Sequence, residues 1–160
     1  MGITANFGKD EIRDHIEGEL RKHIVRIVEM LKYVGQTVVN EIRTSHISNW
    51  NDQTGNLRSS IGYTVLLDGV PQVTSAFERV DGPQRGDTNV NGSAEGSAYI
   101  RSLTPLHREG IALIVVAGME YASYVEKLKN KTVLAQGEIE AQTLINKMLA
   151  QLDAKLGNKE

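Results

Sequence analysis

One long pattern of apolar residues dominates the first third of the sequence. Between residues 9 and 48 an apolar side chain returns every three or four positions, the spacing that places residues on one face of an α-helix. The residues of this stripe are Ile12, Ile16, Leu20, Ile24, Ile27, Leu31, Val34, Val38 and Ile42. No proline interrupts it, although Gly18 and Gly35 are weak helix formers. The pattern predicts a helix over residues 9–48, roughly 50–60 Å long, which is too long for one small core to cover.

The composition is that of an ordinary globular domain. The 160 residues favour a single domain, and 18 basic against 20 acidic residues give a net charge of −2, which does not favour a general nucleic-acid surface. Because there is no cysteine, disulfides, thiolate metal sites and cysteine nucleophiles are excluded. The longest apolar run, residues 111–117, is too short to span a membrane, and no secretory signal is recognised, so no membrane contact is expected.

The remaining sequence predicts a small sheet and a second helix. Alternating apolar residues predict a β-hairpin over residues 61–80, with its turn at Asp68-Gly69. Residues 81–110 hold five of the fifteen glycines and two of the three prolines, which predicts a long polar loop. Residues 111–117 are typical of a central strand buried on both faces, and residues 134–156 have helical spacing, ended by Gly157.

These elements predict a single α+β domain over residues 1–160. In it the long N-terminal helix and the C-terminal helix pack on one face of a small antiparallel sheet, and the long polar loop lies outside the core.

Three side chains of the first helix have a partial metal-ligand pattern. His15, Glu19 and His23 follow one another at intervals of four residues, beside the apolar stripe. The two histidines would stand about 12 Å apart along the helix axis, too far for ligand bonds of about 2.1 Å to reach one ion. Two of these side chains together with ligands from a second chain could still bind a metal ion. The expected role of the three residues is, however, a solvated, ion-paired helix face.

Residues 87–92, Asp-Thr-Asn-Val-Asn-Gly, match the first half of a calcium-binding loop. The twelfth position of such a loop needs a bidentate glutamate and is Ala98 here, although Glu95 at the ninth position offers an oxygen. A polar loop whose Asn and Gly residues accept left-handed turns is the favoured interpretation, with calcium as the alternative.

Signatures of catalysis are missing from the sequence. There is no glycine-rich dinucleotide motif, no P-loop lysine and no nucleophile elbow, and the histidines and carboxylates form no pair that spacing selects. We therefore predict no catalytic residue, no cofactor-binding residue, no metal ligand and no enzymatic activity.

Two short strings stand at the junctions between the predicted elements. The first is Thr54-Gly55-Asn-Leu57, followed by Ile61, where the long helix gives way to the hairpin. The second, after the apolar strand, holds Gly118, Tyr121, Ala122, Val125 and Glu126. In the first string we expect the glycine to form a turn and the leucine to pack in the core. In the second string we expect the residues at helical spacing to make packing contacts.

The two strings, in this order and between these elements, resemble those of the head–tail joining and tail-completion proteins of long-tailed bacteriophages and prophages, grouped as HK97 gp10-like. The resemblance implies a structural virion protein that forms an oligomeric ring at the head–tail interface. It also implies partners: its own copies, head–tail connector and tail-tube proteins, and DNA only as it passes through the lumen. The expected location is the virion, and the host cytoplasm during assembly.

Candidate interface residues lie in the polar segments, together with the polar face of the first helix. They are Trp50, Arg85, Asp87, Asn89, Asn91, Tyr99 and Arg101. The alternative function is a monomeric or dimeric ligand-binding or regulatory α+β domain, with a pocket between the sheet and the long helix.

Overall fold

The computed structural model describes residues 8–44, 52–84, 90–120, 122–123, 127 and 133–157. Within these residues the chain forms, in order, α1 (Lys9–Thr44), α2 (Asn56–Ser59), β1 (Ile61–Leu67), β2 (Val70–Thr74), α3 (Gly92–Leu103), a 3-10 turn (Thr104–Leu106), β3 (Ile111–Ala117) and α4 (Ala135–Gly157). The fold is α+β, as predicted, with long N-terminal and C-terminal helices and a small antiparallel sheet. None of the described helices is long and apolar enough to cross a membrane.

The described strands form an antiparallel sheet in the order β2-β1-β3. β1 is therefore the central strand, and six of its seven residues are buried. The prediction that residues 111–117 form the central strand is wrong, because β3 pairs with β1 along one side and lies at the edge of this sheet. Its run of apolar residues has another cause: helices cover both faces of the sheet, so both sets of alternating β3 side chains meet apolar neighbours.

The two faces of the sheet pack against different helices. On one face Ile61, Tyr63 and Val65 of β1 join the main core with α1, and partly buried residues of α4 pack against it. On the other face Leu66 of β1 joins Ile100 of α3. The placement of α1 and α4 agrees with the prediction, whereas α3 adds a layer that the sequence did not predict.

The predicted loop over residues 81–110 is wrong in its second half, since residues 92–103 form α3. Asn91 begins this helix by accepting a hydrogen bond from the Ala94 backbone N–H at 3.3 Å. The glycines that favoured a loop are needed for packing: a Cβ on Gly92 would overlap the backbone of α2, and one on Gly96 would overlap the Ser60 carbonyl oxygen. Close packing of the helix backbone therefore outweighs the low helix propensity of glycine.

The ends of the other elements differ from the predicted ends by a few residues. α4 spans residues 135–157, against a predicted 134–156. β2 ends at Thr74, so residues 75–80 do not continue the predicted hairpin, although the Ser75 N–H still donates to the Tyr63 carbonyl at 2.9 Å. α1 ends at Thr44, and the predicted extension to residue 48 lies outside the described residues.

The contact between α1 and β1 depends on a glycine. Tyr63 is 2% exposed, and its ring lies directly on the backbone of α1 at Gly35. A Cβ at Gly35 would stand 2.5 Å from Cδ2 of that ring, a separation that real Cβ contacts do not show. Burial also raises the pKa of the Tyr63 phenol, because the charged form loses its hydration. Gly35, a weak point of the helix in the sequence, is thus required by the packing.

Gly35→Ala should lower the free energy of unfolding by about 1–3 kcal/mol, the usual cost of forcing extra atoms into a packed core. Gly18→Ala on the same helix is the matched control. Nothing lies within 4 Å of the corresponding Cβ position at Gly18, so alanine there should raise the free energy of unfolding by about 0.5–1 kcal/mol through helix propensity alone. Urea denaturation measures both values, and equal effects of the two substitutions would contradict the packing of Tyr63 on α1.

Candidate interaction surface

The first turns of α1 carry an apolar stripe that the fold does not cover. Ile12, Ile16 and Leu20 are 48%, 60% and 57% exposed, whereas Val34 on the same stripe is fully buried over the sheet. The first buried residue along this helix is Met30. We call residues 9–23 the α1 tip; its apolar residues stand in solvent.

The tip is exposed because α1 is longer than the elements that pack on it. α1 has 36 residues and is about 54 Å long, whereas α4 has 23 residues and is about 35 Å long. The two helices run antiparallel: Ile145 lies beside Val38 in one groove between them, and Lys155 lies beside His23 in another. The beginning of α1 therefore projects past the C-terminal end of α4.

Local interactions support the helical conformation of the tip. The Gly8 backbone N–H donates to the Glu11 carboxylate at 3.3 Å, and Arg13 forms an ion pair with Asp10 one turn earlier. Lys22 Nζ pairs with Glu19 Oε1 at 2.7 Å. Acidic residues in the first turn also suit the positive end of the helix dipole. Because these side chains are exposed, each pair contributes little to stability.

The electrostatics of the tip fit the ion-paired face predicted for His15, Glu19 and His23. The hydrogen bond and charge of Lys22 lower the pKa of the Glu19 carboxyl, and the two histidines act in the same direction more weakly. In the ranges described above, no group of three or more His, Cys, Asp or Glu side chains is arranged to hold a metal ion.

A groove of about 900 Å³ lies next to the tip, between α1 and the end of α4. Met30, Met148 and Leu152 supply apolar side chains to it, while Arg26 and Lys155 are among the charged residues at its rim. Methionine side chains are flexible and adapt to differently shaped partners. The groove reaches the tip at Glu19 and His23.

The first motif string is a structural junction. Gly55 has a φ of 81°, a left-handed conformation that glycine adopts without strain, and it precedes α2. Thr54 Oγ1 accepts a hydrogen bond from the Asn56 N–H at 3.3 Å. Leu57 is 2% exposed in the core, and Ile61 is fully buried as the first residue of β1. In the structure, the glycine of this string thus lies in a turn and its leucine lies in the core.

The second motif string is only partly described. Gly118 follows β3 and lies against the backbone of α3, so that a Cβ there would overlap Gly96. Ala122 is 8% exposed and belongs to the main core. Tyr121, Val125 and Glu126 lie outside the described residues.

Three of the candidate interface residues lie on or next to α3. Asn91 caps the helix, Tyr99 is 46% exposed, and Arg101 Nη1 donates to Ser97 Oγ at 2.7 Å. The structure thus places Tyr99 and Arg101 on one exposed helix rather than in a loop. The other candidates, Trp50, Arg85, Asp87 and Asn89, lie outside the described residues.

The calcium-loop alternative does not agree with the structure of residues 91–98. The Asn91 side chain accepts the Ala94 N–H at the start of α3, and both Glu95 and Ala98 are part of the helix. A calcium loop needs a sharp turn at the glycine in its sixth position, which is Gly92 here, and Gly92 is instead the first residue of α3.

Two polar side chains that the sequence analysis did not single out hold the junctions around β1. Arg43 Nη2 donates to the Ile61 carbonyl at 2.6 Å, and burial lowers the pKa of this guanidinium while Glu78 partly opposes the shift. Asp52 is 6% exposed and accepts the backbone N–H groups of Gly55 at 3.0 Å and Arg58 at 2.8 Å. An acidic residue three positions before the motif glycine was the available signal for this cap.

Comparison of the sequence with known protein families gives no match, and curated proteins and solved structures give none either. The functional argument therefore depends on the residues and the geometry of the chain itself.

Asp52→Ala should lower the free energy of unfolding by about 2 kcal/mol, because two backbone N–H groups at the α2 junction lose their acceptor. Asp81→Ala is the control: the ion pair of Asp81 with Arg79 is 85% exposed on both sides, so its loss should leave the stability unchanged. Chemical denaturation followed by circular dichroism measures both. A loss of stability no larger than that of the control would show that Asp52 does not hold the junction.

Proposed function

We propose that this chain is a structural subunit of a tailed bacteriophage particle. Copies of it would form a ring at the head–tail interface, complete the tail and dock it to the head connector. In this proposal the chain is not an enzyme and uses no cofactor. Its partners are its own copies and the neighbouring connector and tail-tube proteins, and DNA passes through the lumen of the ring. It would reside in the virion, and in the host cytoplasm during assembly.

The observation that carries the proposal is the exposed apolar stripe of the α1 tip. Contiguous apolar side chains held in water by a rigid helix are typical of a surface that another protein covers. Ile12, Ile16 and Leu20 project from a helix that enters the core only from Met30 onward. A subunit of an assembly accounts for this excess length, whereas an isolated domain has no use for it.

The motif strings support the same proposal. Gly55 and Leu57 set the junction between the long helix and the sheet, and Gly118 sets the contact of β3 with α3. These junctions between the long helix, the hairpin and the last strand are the positions on which the resemblance to head–tail joining and tail-completion proteins is based. The net charge of −2 also suits a lumen through which DNA slides without binding.

The second candidate is a ligand-binding or regulatory domain, and the groove between α1 and α4 favours it. Its apolar side chains and charged rim resemble the lining of small-molecule sites. The groove is open to solvent, however, and it lies beside the exposed tip at Glu19 and His23. A partner helix fits such a shape better than an enclosed ligand does.

Removal of the protein from cells that produce the phage should leave full heads and finished tails that do not join. The physical reason is that no other surface bridges the two parts once the ring is missing. Negative-stain imaging of the particles gives the result directly. Normal, joined particles in the absence of the protein would overturn the proposal.

When the Ile16→Asp variant is supplied to cells that lack the protein, it should fail to restore joined particles. The reason is that a carboxylate in the stripe must be desolvated on assembly. Ile139→Asp on α4 is the matched control, since Ile139 is 61% exposed against 60% for Ile16. Both chains should fold alike in circular dichroism. If both variants restore joined particles, the tip does not take part in the assembly contacts.

A further inference from the structure

Most charges between residues 10 and 22 of α1 are arranged symmetrically about Ile16, with opposite signs. Counting outward from Ile16, His15 corresponds to Glu17, Arg13 to Glu19, and Ile12 to Leu20. Further out, Glu11 corresponds to Arg21, and Asp10 to Lys22. Asp14 corresponds to the uncharged Gly18, and the outermost pair of the tip, Lys9 and His23, is basic on both sides. In an antiparallel pair of this sequence the apolar residues of the stripe meet each other, and each flank brings a basic residue of one copy to an acidic residue of the other.

We propose that the α1 tip pairs with the tip of a second copy of this chain, antiparallel and around a two-fold axis at Ile16. In this arrangement Ile16 packs on Ile16 of the second copy, and Ile12 packs on its Leu20. All three exposed apolar side chains of the tip are then covered. The overlap spans residues 9–23, about 22 Å of helix.

The positions of the charges around the helix support this register. Arg13 and Glu17 are four residues apart on one flank of the stripe, and His15 and Glu19 are four residues apart on the other flank. A two-fold axis perpendicular to both helices places each flank of one copy against the same flank of the other copy. Arg13 then faces Glu17 of the second copy, and His15 faces its Glu19, each within about 3 Å of the same height along the axis. Glu17 also meets Glu17 and His15 meets His15 at about the same offset, so four contacts between opposite charges stand against two between like charges.

A parallel pair in register does not fit the same charges. It brings unlike flanks together, so that Glu17 meets Glu19 of the second copy and Arg13 meets its His15, while Glu17 also meets its His15 at about the same offset. Two contacts between opposite charges then stand against four between like charges. Like charges across a helix contact are unfavourable. The charge pattern thus selects the antiparallel arrangement.

The intramolecular ion pairs of the tip do not prevent the contact. Arg13 pairs with Asp10, but their side chains are 64% and 83% exposed, so an exchange of partners costs little. Glu17 has no ion-pair partner among the described residues. Gly18 lies on the side of the helix opposite the stripe and does not take part.

The two domains end up at opposite ends of the pair, because each α1 enters its own core only from Met30 onward. The beginning of each tip reaches the height of His23 in the other copy, at the groove between α1 and α4. Since the contact is smaller than the ~1,600 Å² of a standard interface, we expect a dimer that dissociates on dilution, in the micromolar range.

This pairing goes beyond the proposed ring and does not depend on it. A two-fold contact closes on itself and cannot generate a ring, so it is a property of the free subunit. It is measured on the purified chain, whereas the ring is tested in particles, and either proposal can fail while the other holds.

Cysteine cross-linking tests the register, because the chain has no cysteine of its own. Ile16→Cys places the two thiols on the axis, and mild oxidation should give a disulfide-linked dimer as the main product. Ile12→Cys should stay monomeric, because its two copies are about 12 Å apart along the axis, beyond the ~4.4–6.8 Å Cα separation of a disulfide. A mixture of Ile12→Cys with Leu20→Cys should cross-link.

Ile139→Cys, equally exposed on α4, measures cross-linking by random collision. Efficient cross-linking of Ile12→Cys alone would mean a parallel pair and would overturn the proposal. Cross-linking of Ile16→Cys at the rate of the Ile139→Cys control would overturn it too.

Exchange of charges tests the same pair without a covalent bond. Arg13→Glu alone and Glu17→Arg alone each put like charges face to face, and each should raise the dissociation constant of the dimer about tenfold, measured by sedimentation equilibrium. An equimolar mixture of the two variants restores opposite charges at every contact and should dimerise as tightly as the unchanged chain. Failure of the mixture to recover, or a monomeric unchanged chain at several hundred micromolar, would overturn the proposal.

Discussion

The structure depends on the packing of the second half of α1 against the central strand β1. The ring of Tyr63 lies on the helix backbone at Gly35, and Val34 and Val38 fill the core on the same face. α4 then packs antiparallel along α1, with Gly137 close to Ile42. Because this contact fixes one half of a 36-residue helix, the other half is carried rigidly into solvent. The exposed tip is a consequence of where the core holds α1.

The exposed tip connects the two proposals. A ring needs contacts between unlike surfaces, whereas an antiparallel pair of tips is a contact between like surfaces. The same apolar stripe cannot serve both at once. If both proposals hold, the pair covers Ile12, Ile16 and Leu20 in the free subunit, and assembly replaces one partner with another. A weak pair of tips suits this exchange of partners. It covers the apolar stripe in the free subunit and still dissociates when the subunit assembles.

Much of the fold could be predicted from the sequence, and the errors share one physical cause. The helical stripe, the turn at Asp68-Gly69 and the C-terminal helix follow from local periodicity, and the structure has all three. The loop containing Gly92 and Gly96 was misjudged because these glycines serve contacts with distant backbone, which local propensity does not record. The apolar residues of β3 predict a central strand, but they reflect helices on both faces of the sheet and not neighbouring strands on both edges.

The sequence by itself determined the positions of α1, the hairpin and α4, together with the opposite charges arranged about Ile16, because periodicity and order are properties of the chain alone. Only the tertiary structure decided that the stripe is buried at Val34 and exposed at Ile16, since burial depends on what lies opposite a residue. The same holds for Gly35. The sequence identifies it only as a weak helix former, whereas the structure shows that an aromatic ring packs on its backbone. The charge pattern of the tip acquires a function only because the core stops short of it.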